Sequence, residues 1–317
     1  MMPLAQAFAP LNLIGRLRPG ITLAAGGFVP ALRAYSGLRV PEARSVGPAQ
    51  ILGRLGSLEV RLARKAAEVR RAQKLRYRVF YQEMSAIADA GTMLARRDID
   101  GFDAISDHLL VVDHAVRDTK LPRGLNVVGT YRMLRQSVAE QHGGFYSAGE
   151  FDVDDLVSRH PTLKFLEVGR SCVLAPYRNK RTVELLWHGF WTYVLRHGFD
   201  VMIGCASLDG TDPDRIALEL AFLHHYASAP TAWGAAAWPQ RFVNMNRMPK
   251  SAVDPKAALR LLPPLIKGYL RLGAFVGEGA VIDRQFGTTD VLIVLPVATI
   301  SSRYIEHFGP AANRHSA

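Results

Sequence analysis

The chain has 317 residues, 49% hydrophobic, 9% aromatic and 21% charged, proportions that suit a globular protein with a sizeable core and exclude a disordered or fibrous one. Its longest charge-free apolar run near the C-terminus, VLIVLPVATI, is about half of the roughly 20 residues that a membrane-spanning helix needs, so no such span is expected. The net charge of +11 is unevenly spread: residues 1–80 hold 14 Lys and Arg against 3 Asp and Glu, and residues 81–317 hold 25 of each, which favours an acidic partner such as a nucleic acid, an anionic membrane surface or an acidic protein.

Residues 1–50 carry Pro, Gly, Ala and Arg without sustained periodicity and read as a flexible basic leader. Arg16, Arg18 and Pro19 interrupt its only candidate signal core, so export is not expected. LEVRL from Leu58 alternates as a half-exposed strand does, and the spacing of Ala67, Arg71, Leu75 and Val79 predicts a helix after it. HLLVVD (108–113), NVVGTYRMLR (126–135) and LKFLEVGRSCVL (163–174) read as three strands in succession, the last preceded by an insert around 143–161. Val183, Leu186, Phe190 and Val194 mark an amphipathic helix over 182–197, and DVMIGCAS a buried strand. Asp212 and Pro213 make a cap and first-turn pair for a helix carrying His224 and His225. A helix over 255–272 and strands in AVIDRQFG and TDVLIVLPV close the chain. The order implies an α/β protein: a mixed central sheet with an antiparallel first half, flanked by helices, and a C-terminal extension of helix and two strands from about residue 228. One domain is expected over 51–310, with a tail at 311–317. The same order is similar to that of the GCN5-related N-acyltransferase (GNAT) fold.

The stretch Lys164–Thr182, KFLEVGRSCVLAPYRNKRT, places Glu167 and Arg170 inside an apolar strand and then brings Arg178, Lys180 and Arg181 to the start of a helix. Free N–H groups at a helix start, with those cations, make a site for a phosphate. A phosphopantetheine arm with its phosphate there would bring its thioester near Glu167–Cys172, where Glu167 is placed to serve as general base toward an attacking amine. The alternative from spacing alone is a structural ion pair and a solvated turn. Residues three apart on a regular strand face opposite ways, so Glu167 and Arg170 share a site only if a bulge intervenes, for which Gly169 is the candidate.

Asp98, Asp100, Asp103 and Asp107 form an acidic loop suited to ammonium groups, or to pairing with Arg76, Arg132 and Arg170. His108 and Asp113 match the H-x4-D spacing of glycerolipid acyltransferases but fall on opposite strand faces. Cys205 with His224 or His225 has the residue types of a thiol nucleophile and its base, although a buried cysteine is the commoner role. The cysteines, Cys172 and Cys205 alone, sit in apolar runs with no metal-ligand spacing, so neither a metal nor a disulfide is expected and a reducing, cytoplasmic setting fits. No nucleic-acid-binding signature accompanies the basic leader.

LRYRVFYQEM, DIDGFDAISDHLLVVD, VVGTYRMLR, LEVGRSCVLAPYRNKRTVELLWHGFWTYVLRHG, DVMIGCASLDGTDPD and LPPLIKGYLRLGAFVGEGAVIDRQFGTTDVLIVLPV together resemble the L-ornithine N(alpha)-acyltransferases of ornithine-lipid synthesis, over roughly residues 55–309. The resemblance implies transfer of a 3-hydroxyacyl group from acyl carrier protein to the α-amine of L-ornithine, giving lyso-ornithine lipid. It implies no bound cofactor: the acyl donor rides on the carrier's phosphopantetheine. Expected contacts are Glu167 at the amine, Arg76, Asp100, Asp103, Arg132 and Arg170 around the substrate, and Cys172, Val173, Arg178, Lys180, Arg181 and Thr182 along the donor arm and its carrier. A more distant likeness to acyl-homoserine-lactone synthases rests on Arg76 with Phe80, Asp100 with Asp103, Arg132, and Glu167 with Arg170. Arg181 stands where the coenzyme A turn of the fold, R-x-x-G-x-A or G, has glycine, which favours carrier-borne phosphopantetheine. The basic leader is expected to meet the acidic carrier, the anionic inner membrane surface as a peripheral contact, or both. Autoinducer synthesis, or a non-enzymatic basic binding module, are the alternatives.

Overall fold

A computed structural model describes residues 51–115, 126–301 and 304. Eight strands make a mixed sheet in the order β1-β2-β3-β4-β5-β6-β8-β7: β1 Ile51–Leu55, β2 Leu58–Leu62, β3 Asp107–Asp113, β4 Asn126–Arg135, β5 Phe165–Val173, β6 Val201–Asp209, β7 Phe275–Asp283 and β8 Thr288–Pro296. The main helices are α1 Ala66–Tyr77, α2 Lys180–His197, α3 Ala217–Tyr226, α4 Pro255–Leu261 and α5 Pro264–Arg271. The expected α/β class and the antiparallel first half are both present, since β1 to β4 pair antiparallel in sequence order. The expected leader, residues 1–50, and tail lie outside the described residues.

The chain divides into two compact units, parted within β5. The N-terminal unit comprises 51–115 and 126–134 with Arg170–Tyr193; the C-terminal unit comprises Arg135–Gly169 with 194–301 and Tyr304.

In the N-terminal unit, α1 runs on into a π-helical stretch, Arg78–Glu83. Of the predicted stripe, Leu75 and Val79 are buried, Arg71 is half-buried and Ala67 is exposed, while Arg70, Lys74 and Arg78 face solvent. Phe190 of α2 stacks on Tyr131 of β4 at 5.3 Å. α2 crosses β2 so closely at Gly189 that a Cβ there would overlap the Val60 side chain.

In the C-terminal unit, β8 pairs antiparallel with β6 along its whole length and β7 pairs with β8. The hydrophobic extension is thus part of the sheet, inserted as β8 between β6 and β7. β5 and β6 pair in parallel only over Phe165–Glu167 and Val201–Ile203. Gly204 follows at once, and a Cβ there would collide with the Val168 carbonyl oxygen, so only glycine permits this approach of two backbones. A small cavity opens beside it, lined by Val168, Gly204, Cys205, Tyr269, Ile293 and Leu295 among others.

Four local expectations change. β1 is an additional strand, short and with an irregular register between Ile51 and Gly53. Asp212 does not cap α3; it accepts from the Asp214 N–H at 3.0 Å, and α3 begins after Ile216 without a side-chain cap. The helix predicted over 255–272 is two helices, because Leu262 is extended ahead of the Pro263–Pro264 pair, as residues before proline prefer to be. β5 ends at Val173, a single 3-10 turn spans Ala175–Tyr177, and α2 begins at Lys180.

Candidate active site

In the N-terminal unit the acidic loop closes on three arginines. Arg76 Nε lies 2.8 Å from Asp98 and its Nη2 2.7 Å from Asp103. Arg132 pairs with Asp100, and with Asp103 at 3.5 Å; Arg170 reaches Asp98 at 3.1 Å and Asp100 at 3.4 Å. All six are buried, so three carboxylates balance three guanidiniums, which a low-dielectric interior requires. Burial alone would discharge Arg76, but Asp103 and Asp98 outweigh it and raise its pKa; burial works against Asp103 as an anion, but Arg76 and Arg132 hold its carboxyl well below the usual range. Asp107 stands outside the cluster and accepts from the Tyr193 hydroxyl at 2.6 Å. Gly169 is not the left-handed residue of β5: Arg170 itself is, with φ of 51°. An arginine in that region costs about 1–3 kcal/mol, offset by the two carboxylates its side chain meets.

In the C-terminal unit, both Glu167 oxygens are engaged. Oε2 accepts from the Tyr146 N–H at 2.7 Å; Oε1 accepts from the Ser147 N–H at 2.7 Å and its hydroxyl at 2.6 Å. Three donors on one buried carboxylate fix the 3-10 turn Tyr146–Gly149 against the start of β5. Immediately after this turn comes Glu150, whose Oε2 accepts from the Cys205 Sγ at 3.5 Å and whose Oε1 lies 3.1 Å from Arg241 Nη2.

The residues expected along the donor arm lie in the N-terminal unit. Cys172 and Val173 are fully buried, and burial pushes the Cys172 thiol up, away from reactivity. Arg178 is already committed: its Nε donates to the Val173 carbonyl at 2.8 Å and its Nη2 to Glu83 at 2.5 Å. The Thr182 N–H donates to Asn179 Oδ1 at 3.1 Å, capping α2. Lys180 and Arg181 are exposed, with Arg181 close over the β1–β2 turn at Gly56.

His108 and Asp113 do not meet. His108 Nε2 faces the Asp103 carbonyl at 2.9 Å and burial lowers its pKa; Asp113 accepts from the Tyr177 hydroxyl at 2.7 Å. Cys205 meets a carboxylate in place of the expected histidines: its thiol donates to Glu150, burial pushes it well up, and His225 faces the Met248 carbonyl at 2.9 Å.

Spacing missed a group of carboxylates built from distant segments. Ser207 pairs with Asp290 across β6 and β8, Asp283 with Thr288 across β7 and β8; directly paired residues share a face, as do residues two apart, so Cys205, Ser207, Asp283, Thr288 and Asp290 line one face. Burial, then Glu150 and Asp283, raise Asp290 well above an ordinary carboxyl. Glu150 is raised by burial and Asp283 against the opposing pull of Arg241. The only advance signal was Asp290 within an otherwise apolar strand.

A family model described as an acetyltransferase (GNAT) domain matches residues 75–188. The chain is 51% identical to an L-ornithine N(alpha)-acyltransferase of Rhizobium meliloti (strain 1021) over 291 residues, 92% of this chain and 96% of that protein. The L-ornithine N(alpha)-acyltransferase of Brucella abortus (strain 2308) is 53% identical over 281 residues, 88% and 99% of the two chains. That of Rhodobacter capsulatus is 40% identical over 252 residues, 80% and 95%.

Proposed function

Because the chain belongs to the family of the L-ornithine N(alpha)-acyltransferases, we propose that it acylates the α-amine of L-ornithine with a 3-hydroxyacyl group delivered by acyl carrier protein. The observation that carries this reading is identity above 50% along about nine-tenths of the chain. The product would be lyso-ornithine lipid, the opening step of ornithine-lipid synthesis.

The neutral amine attacks the thioester carbonyl, a C–N bond forms, the C–S bond breaks, and the proton lost by the amine balances the one gained by the thiol. No resident cofactor takes part. With its oxygens on Tyr146 and Ser147, Glu167 acts through the turn that ends at Glu150 instead of as the general base expected from the sequence. The buried cluster of Arg76, Asp100, Asp103, Arg132 and Arg170 gives the substrate a rigid, charge-neutral wall. The exposed Lys180 and Arg181 at the start of α2 meet the phosphopantetheine phosphate or the acidic carrier, with Cys172 and Val173 of β5 along the arm and Thr182 and Arg178 holding the helix start. Among the described residues no helix is long and apolar enough to cross a membrane, and the basic N-terminal end provides the peripheral contact with anionic lipid.

Purified protein given 3-hydroxyacyl carrier protein and L-ornithine should release one free carrier for each hydroxyacyl-ornithine formed. Absence of the amide product, or a lactone from S-adenosylmethionine in its place, would overturn the reading.

A further inference from the structure

An acceptor with two amino groups presents one neutral amine for reaction and one ammonium that stays charged, and a buried ammonium needs carboxylates facing it. The aspartates of the N-terminal cluster, Asp98, Asp100 and Asp103, are already matched in number by Arg76, Arg132 and Arg170. In the C-terminal unit three other carboxylates come together. Glu150, Asp283 and Asp290 are all buried, and the cation paired with Glu150 there is Arg241, whose side chain is 31% exposed.

At Asp290 one hydrogen-bond acceptor is left over. Asp290 Oδ1 accepts from the Thr288 hydroxyl at 3.0 Å, and the Ser207 hydroxyl also donates to Asp290. Its other oxygen, Oδ2, is fully buried and has no donor. A buried carboxylate oxygen left without a donor is costly unless a ligand supplies one.

We propose that Glu150 and Asp290, with Asp283 beside them, form the pocket for the charged side-chain amine of the acceptor amino acid. The inference rests on the acyl transfer proposed above and adds a basis for choosing a dibasic over a neutral acceptor. The ammonium takes the place of Arg241 on Glu150 Oε1 and donates to Asp290 Oδ2. Arg241, on the exposed rim, holds the carboxylate while the pocket is empty and moves aside. Glu167 acts one step removed: it anchors Tyr146 and Ser147, and the residue that ends their turn is Glu150.

The test compares kcat/KM for L-ornithine with that for L-norvaline, which has the same carbon chain without the terminal amine, using 3-hydroxyacyl carrier protein as donor. The unmodified protein should prefer ornithine by at least about 100-fold, since a buried site built for a polar group rejects the analogue lacking it. Glu150→Gln and Asp290→Asn should each shrink that preference about 10- to 100-fold, chiefly through KM for ornithine. Folded variants with an unaltered preference would overturn the proposal. Arg241→Met is a second route that does not touch the carboxylates: removing the resident cation should lower KM for ornithine several-fold, and an unchanged or raised KM would overturn the proposal as well. Equal use of ornithine and norvaline by the unmodified protein would sink the pocket while leaving acyl transfer standing; acylation of neither would sink the transfer itself.

Discussion

Glu167 and Ser147 are joined twice, by the backbone N–H at 2.7 Å and the hydroxyl at 2.6 Å, both on Oε1 of the carboxylate. Glu167→Gln keeps the shape but places a neutral amide against three donors. Charge-assisted hydrogen bonds of this kind are worth about 1.5–3 kcal/mol, so urea unfolding should show a loss of that order. Turnover should fall while the pH profile keeps its shape, as suits a positioning residue; loss of the acidic limb would instead mark Glu167 as the base.

Asp103→Asn leaves Arg76 buried with one carboxylate fewer, and removing one partner of a buried pair costs about 3–5 kcal/mol. Acid should act through the same group. The folded carboxyl is held well below its ordinary value, so its stabilisation is present above the unfolded pKa of about 3.9 and is lost as pH falls toward the folded one. Urea titrations from about pH 6 down to about pH 3, the window set by that pKa, should show less acid sensitivity in the variant.

Asp290 works with the opposite sign. Its folded pKa is raised by burial, Glu150 and Asp283, so its contribution is complete below about pH 3.9 and is lost as pH rises through the folded value. Cys205 and Arg241, the other titratable groups against Glu150, do not reverse this. Unfolding free energy should therefore decline with rising pH, by up to about 1.4 kcal/mol per unit for one proton, and Asp290→Asn should flatten the slope.

Arg181→Ala should raise KM for the acyl carrier protein about 5-fold and leave KM for ornithine within about 2-fold, because loss of one surface charge contact with an acidic partner is worth roughly 1 kcal/mol. Added salt should narrow the gap between variant and parent. An effect on ornithine instead would place Arg181 at the acceptor.

Gly204→Ala forces a methyl into the Val168 carbonyl oxygen. Backbone cannot yield as a side chain tip can, so a loss of about 2–3 kcal/mol or more is expected, read as a lowered Tm.

Patterns with a fixed period were legible in the sequence: β2 to β6, α1, α2 and the closing strands all followed from alternation or helical spacing. β1 was not, since five residues containing Gly53 and Arg54 carry no period to detect. The break in α4–α5 and the false cap at Asp212 show local signals overruled, in one case by Pro263 and in the other by a turn that used the aspartate first. The motif Glu167-x-x-Arg170 was visible, but its meaning was not, because the partners are 20 residues away for one residue and about 70 for the other. Glu150, Asp283 and Asp290 were invisible for the same reason: their proximity comes from strand register and from a turn held by a fourth carboxylate.

The ring in which Asp98, Asp100 and Asp103 each meet two of Arg76, Arg132 and Arg170 constrains how this protein can diverge. Replacing any single member strands a charge in the interior, whereas replacing an acid and its base together keeps neutrality. Single-step drift is closed at these six positions, and a lineage that leaves this arrangement must pass through paired exchanges. A cluster that contributes no net charge can thus act as a ratchet on the sequence around it.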